Sequence, residues 1–257
     1  KKPDGERATS MDILMSVLQA INKDKFPDCL EAAYSVMPTM YAPSNLKLGV
    51  ECGVNRSTRQ AFSSGNVNTK LETALKEAWD DPKYWETHPN ILISRIKIEV
   101  DKAISEAFDS DGRISIRTIY GLLQGKPYGF MPCNLSAFIL GFVLKEYTEG
   151  AYSWSDGITN DPLNLDKLKE MVAEIINLQI TPNSRYKDKY IVAMTPEEKA
   201  FNEATSVAFG IPLNLCTSIE QTRERIRNKM KEYSFPIWTI KEIISDRELK
   251  TEPSVIN

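Results

Sequence analysis

Histidine is nearly absent: His88 is the only one in 257 residues. Any Ser-His-Asp or Cys-His catalytic set would have to use it, yet it sits between Thr87 and Pro89 just ahead of a helical pattern, where a capping role is the simpler reading. Cysteine is sparse too. Cys29, Cys52, Cys133 and Cys216 stand far apart with no paired spacing, which argues against a zinc ribbon and fits reduced thiols in a cytoplasm better than a disulfide framework. No apolar run is long enough to span a bilayer, and no signal peptide is legible. There is no positive excess either: 32 Lys and Arg against 35 Asp and Glu give a net charge of -3, which argues against a general nucleic-acid coat but leaves room for a local patch. The chain opens on Lys1-Lys2-Pro3 rather than Met, and is expected to be a piece of a longer protein.

Several motifs that would carry chemistry fail on inspection. Asp109-Ser110-Asp111-Gly112 suggests a calcium loop, but the register set by Gly112 puts Ala107 at the first ligand position and Thr118 at the bidentate Glu. The run Gly121 to Lys126 is one residue short for a phosphate loop, and Pro127 occupies the magnesium-binding Ser/Thr position. Ser44 and Lys47 have the spacing of a lysine-activated serine without its companion motifs. The pairs Asp80-Asp81 and Glu197-Glu198 lie where helix starts attract carboxylates for electrostatic reasons alone. No catalytic residue, cofactor or metal is assigned.

What is present is ordinary globular material, 42% hydrophobic and 26% charged. Ile13, Leu14, Val17, Leu18 and Ile21 predict the core face of a first helix, and Cys29 to Met37 a second. From Pro43 to Asn68 the pattern fades into Gly, Ser and Asn, which predicts a long loop. Thr69 with Glu72 has capping-box spacing and opens a helix to Trp79. Asp80-Asp81-Pro82 breaks it, Tyr84 and Trp85 form a corner, and a long helix follows from Asn90. Beyond Gly157, Asn164 caps a further helix, and 181–190 reads as a linker before a short strand at Tyr190 to Ala193. Thr195-Pro196-Glu197-Glu198 combines an N-cap, Pro at N1 and Glu at N3. Thr217 with Glu220 repeats the capping box, and Phe235-Pro236 breaks and restarts the chain.

The centre, 109–157, reads as turn, strand, helix, turn, helix and hairpin, the element order of a winged helix. Arg113 to Ile116 alternate as a strand. Asn134 suits an N-cap, and Leu135, Phe138, Ile139, Phe142 and Val143 make one apolar face. The fold class expected is therefore mainly α, a helical domain with a central winged-helix-like unit and a minor β hairpin. Three regions follow: 1–89 helical, 90–180 winged-helix-like, 181–257 helical. In such a unit the second helix would read DNA, but its outward set, Ser136, Ala137, Gly141 and Lys145, is poor for that task. Arg113, Arg117 and Lys126 are candidates for phosphate contact beside it. Arg223, Arg227 and Lys231, spaced by four, form a second candidate stripe diluted by Glu220 and Glu224.

Ile116 to Leu123, Lys126-Pro127-Tyr128-Gly129-Phe130 and the helix Leu135 to Tyr147, with Phe235-Pro236-Ile237-Trp238 later on, resemble a helical, winged-helix-like region of large prokaryotic anti-phage defence ATPases, the P-loop proteins of BREX-type systems. The resemblance covers about half of the chain. It implies an accessory region that holds partners, subunits or DNA for a motor encoded elsewhere, since the phosphate loop is missing here. The expected function is thus non-catalytic assembly through protein contacts within a larger intracellular protein, with a DNA-binding module as the alternative.

Overall fold

A computed structural model describes residues 10–30, 39–56, 75, 78–149, 152–216 and 219–232. The chain divides into two compact units, Lys1–Met194 and Thr195–Asn257. Among the described residues it is mainly helical, with one four-stranded antiparallel sheet.

The first unit holds α1 (Met11–Lys25), α2 (Pro43–Val54), α3 (Tyr84–Thr87), α4 (Leu92–Asp111), β1 (Arg113–Ser115), α5 (Ile116–Gln124), α6 (Asn134–Leu144), β2 (Tyr152–Ser155), β3 (Asn160–Pro162), α7 (Leu165–Ile180) and β4 (Tyr190–Ala193). Local signals set many of these ends. Gly112 closes α4 at a φ of 67°, a left-handed turn that glycine adopts without a Cβ clash. Ser115 caps α5 by accepting the Thr118 N–H at 3.2 Å. Asn164 caps α7 by accepting the Lys167 N–H at 3.0 Å. Residues 107–118 are thereby helix end, strand and helix start, not a calcium loop.

The sheet runs β1-β4-β2-β3. The expected sequence of strand, helix, helix and hairpin is present from β1 to β3, but β4 intervenes between β1 and the hairpin. The polar stretch expected to be a linker instead crosses the surface with Tyr186 half-buried against the core, and delivers β4 to the sheet. A cut at 180/181 would therefore sever the sheet, and the compact unit extends to Met194.

At the centre lies α6, every residue of which is buried. The expectation of one apolar face with Ser136, Ala137 and Gly141 turned outward is corrected: all three are buried, Ala137 and Gly141 lie against α2, and the Ser136 hydroxyl donates to the Met131 carbonyl. That helix falls where a loop was expected. Gly49 and Gly53, which weaken the helical pattern, stand one turn apart and let the two backbones meet. A Cβ on Gly49 would lie 2.7 Å from the Asn134 carbonyl oxygen. One on Gly141 would lie 2.9 Å from the Val50 Cα. Asn134 is not the N-cap; Cys133 holds that place, and the Asn134 side chain accepts the Met40 N–H at 3.1 Å. Ser44 and Lys47 belong to α2, where Lys47 faces Glu170 at 4.0 Å. The aromatic corner forms as expected: the fully buried Tyr84 stacks on Phe142 at 4.7 Å and meets Trp85 edge-on at 5.1 Å.

On α1 the expected core face is mostly in water. Val17 is buried, whereas Leu14, Leu18 and Ile21 are 41%, 49% and 50% exposed. The helices expected at 29–37 and from 69, and the residues 57–68, lie largely outside the described residues.

In the second unit, α8 (Pro196–Phe209) starts with the full capping box: Thr195 accepts the Glu198 N–H, and the Glu198 carboxylate accepts the Thr195 N–H at 2.8 Å. A buried hydrogen bond from Thr222 Oγ1 to Asn202 Oδ1, 2.7 Å, ties it to α9 (Ile219–Met230). Thr217 and the Phe235 segment lie outside the described residues.

Gly121 provides a direct check on the helix register. It is exposed within α5, and a Cβ there would meet nothing within 4 Å. Gly121→Ala is expected to stabilise the protein by about 1 kcal/mol, because alanine loses less backbone entropy in a helix. Chemical denaturation would read this as a higher midpoint at unchanged slope.

Candidate nucleic-acid interface

The β-register brings one end of β1, β4 and β2 together: Ser115 pairs with Tyr190, and Tyr190 with Ser155. Three features emerge at that end: the first turn of α5, the β2–β3 turn at 156–159 and the segment 181–189. Basic and aromatic side chains interleave around it. The Arg113 guanidinium lies 4.6 Å from the Tyr190 ring centroid, and Arg117 lies 5.2 Å from that of Tyr186. Trp154 lies under both Lys167 at 3.9 Å and Lys189 at 5.2 Å. Such stacking holds a cation in place without neutralising it.

Two of these cations are paired. Arg117 Nε donates to Asp188 at 2.8 Å, and Lys167 meets Asp161 at 2.9 Å. Arg113, Arg185, Lys187 and Lys189 make no ion pair among the described residues. Beneath the 181–189 segment is a cleft of about 320 Å³, lined in part by Arg185, Tyr186, Lys187, Lys189, Asn177 and Asn183. The adjoining turn is fixed by Asp156, whose carboxylate accepts the N–H groups of Ile158 and Thr159 at 3.0 and 2.8 Å. Those two hydrogen bonds, with Thr159 the stronger cause, hold its pKa down at about 2, with smaller contributions from the Thr159 hydroxyl and the nearby charge of Lys189.

The other candidate cations scatter, in keeping with their separation along the chain. Lys126 is exposed but follows the opposite end of α5 from Arg117. Arg223, Arg227 and Lys231 are exposed in the second unit, on or just past α9. Lys145 is withdrawn from water, only 7% exposed, and with Ser136, Ala137 and Gly141 also buried the expected reading face offers nothing to a groove. Arg185, Tyr186, Lys187 and Lys189 escape sequence reasoning because the stretch is polar enough to read as a linker. The signal that marks them is alternation, Arg185-Tyr186-Lys187-Asp188-Lys189-Tyr190, basic residues interleaved with rings.

A second charged cluster lies under the aromatic corner. Lys97 is fully buried on α4, 2.7 Å from Asp101 and 3.4 Å from Glu146, with Nζ 4.8 Å from the Trp85 ring centroid and 5.0 Å from that of Tyr147. The Tyr147 hydroxyl donates to Asp101 at 2.7 Å. Burial raises the Glu146 pKa against the pull of Lys97. Beside it, Lys145 Nζ is buried with no hydrogen-bond partner, 4.7 Å from the Phe142 ring centroid. His88 Nε2 lies 3.8 Å from Asp81 Oδ2. Among the described residues no group of three His, Cys, Asp or Glu side chains is placed to hold a metal ion, and no helix is long and apolar enough to cross a membrane.

Comparison with protein-family models, with curated proteins and with solved structures finds no match to this chain.

Proposed function

We propose that this chain is a non-catalytic accessory region of a larger protein, of the defence-ATPase kind that its central motifs resemble, and that it contacts nucleic acid through the end of its sheet rather than through a reading helix. One observation carries this reading: among the described residues Arg113, Arg185, Lys187 and Lys189 are free of ion pairs and gathered among Tyr186, Tyr190 and Trp154, in a chain whose net charge is -3. Free cations answer phosphates, and rings beside them offer stacking surfaces. With the helix α6 covered, a winged-helix-like unit of this form would grip the backbone through its hairpin end.

Fluorescence anisotropy with a labelled DNA duplex tests it. Binding is expected at low salt and to weaken steeply as salt rises. Arg185→Ala with Lys187→Ala and Lys189→Ala should weaken it by about tenfold or more and flatten the log-log salt slope by about three, one per lost phosphate contact. Arg223→Ala with Arg227→Ala should leave it unchanged. Binding no tighter than that of an unrelated acidic protein, or indifferent to the triple change, would refute the interface.

Assembly through α1 is a second reading with its own observation. Met11, Leu14, Leu18 and Ile21 follow 3-4-3 spacing and are each at least 41% exposed, an apolar stripe suited to a partner helix. Loss of self-association or of co-purifying subunits on Leu14→Glu with Leu18→Glu would support it.

A further inference from the structure

Lys145 carries a buried ammonium with no hydrogen-bond partner, set over the Tyr84 and Phe142 rings at 5.2 and 4.7 Å, and an ammonium so placed is a standing cost to the fold. The residue lines a cleft of about 560 Å³, within the range of small-molecule sites, together with Arg56, Lys83, Val54, Pro82 and Trp85. We infer that this cleft binds a small oxyanion, a carboxylate or phosphate group held between the Arg56 guanidinium and the Lys145 ammonium.

Four observations converge on that assignment. Arg56 takes a left-handed backbone at a φ of 56° just past the end of α2, a helix ending that glycine adopts more readily, and its side chain is thereby set on the cleft. One of its nitrogens reaches the Asp80 carbonyl at 3.4 Å, and it makes no ion pair among the described residues, so its fork retains donors. The carboxylates on the same cleft largely answer other cations: Glu146 meets Lys97 at 3.4 Å, and Glu86 meets Lys83 at 3.7 Å. Glu149 completes the acidic rim without forming an ion pair to Lys145. Finally, the charge that acts most strongly on Lys145 is the positive one of Arg56, ahead of Glu146. Burial, the larger cause, and this repulsion together bring the amine pKa down to about 8. Arg56 and Lys145 line the same cleft, neither is in an ion pair among the described residues, and an oxyanion entering it would gain charge-assisted hydrogen bonds from both. Val54, Pro82 and Trp85 supply an apolar wall, which favours a carboxylate carrying an apolar body over a bare inorganic ion.

Thermal unfolding of the full chain tests the site with two probes, sodium benzoate and inorganic phosphate, against sodium chloride at matched ionic strength. One of the two anions is expected to raise Tm by several degrees at millimolar concentration, saturably, and the arm that responds identifies the group. Lys145→Met is expected to raise the basal Tm, since an apolar side chain of similar length removes the orphaned charge, and to abolish the anion response. Arg56→Gln should reduce apparent affinity by about tenfold or more without that basal gain, and keeps the test decisive should Lys145→Met fail to fold. Equal shifts with chloride, no shift with either anion, or an undiminished response in Arg56→Gln would each overturn the assignment.

Discussion

Gly53→Ala is expected to cost about 3 kcal/mol or more, enough to broaden or abolish cooperative unfolding in a domain whose total stability is of order 5–15 kcal/mol. A methyl at this position would overlap the Phe138 carbonyl oxygen and lie 2.8 Å from the Phe142 nitrogen. Both are backbone atoms of α6, so no rotamer change relieves the clash; the whole helix must move. A gap of even about 0.5–1 Å forfeits a quarter to a half of the dispersion energy of each contact across it. The interface concerned is deeply buried, with Leu46 and Val50 of α2 fully covered and an α6 with no residue exposed. Alanine favours helix by about 1 kcal/mol at an unconstrained site, so the sign at Gly53 is set by packing against propensity. Gly121→Ala, the same chemical change in open space, is the matched control and should move the other way. Urea denaturation of both variants decides the matter: a Gly53→Ala loss under about 1 kcal/mol would mean that α2 and α6 do not approach this closely.

Lys97→Met is expected to destabilise by about 3 kcal/mol, the lower part of the range for removing one partner of a buried ion pair. The lower part applies because Asp101 and Glu146 remain 30% and 34% exposed and can draw on water once their cation is gone. Methionine retains the length of the stem, so the loss reports charge rather than volume. It also removes the ammonium that Trp85 and Tyr147 flank. The variant removes the cation that opposes the burial-driven rise of the Glu146 pKa, and a carboxyl raised in the folded state contributes stability that is present at low pH and lost as pH rises above its unfolded value. The deficit should therefore be smaller near pH 4.5 than near pH 7. A deficit under about 1 kcal/mol and flat with pH would place the cluster with exposed surface pairs. Lys97 and Lys145 thus make a contrast on neighbouring ground: replacing the paired lysine by methionine should harm the fold, and replacing the orphaned one should help it.

Much of the local structure is legible from sequence where a short-range interaction fixes it. The Thr195–Glu198 capping box, Asn164 and Gly112 act within one turn of helix, so four consecutive residues carry the whole cause. The buried stripe of α7 and the strand at Tyr190 to Ala193 follow from periodicity in the same way. The failures share an opposite character. Gly49 and Gly53 look like helix breakers until a second helix is laid against them. Leu14, Leu18 and Ile21 look like core, yet they stand open to water. The candidate interface is half visible: Arg113 and Arg117 stand out at a short strand and the helix start after it, whereas Arg185, Lys187 and Lys189 join them only through the antiparallel pairing of β4 with β1.

By itself, then, the order of amino acids determined where helices start and stop, that they predominate, and which familiar reaction motifs are incomplete. The tertiary structure alone decided which helix goes to the middle, which lysine loses its water and which cations meet. Caps and periodicities act over a few residues of contiguous chain, while burial and charge clustering depend on residues far apart in sequence. A small side chain such as Gly53 has no strong preference of its own and takes its meaning from the backbone that closes on it.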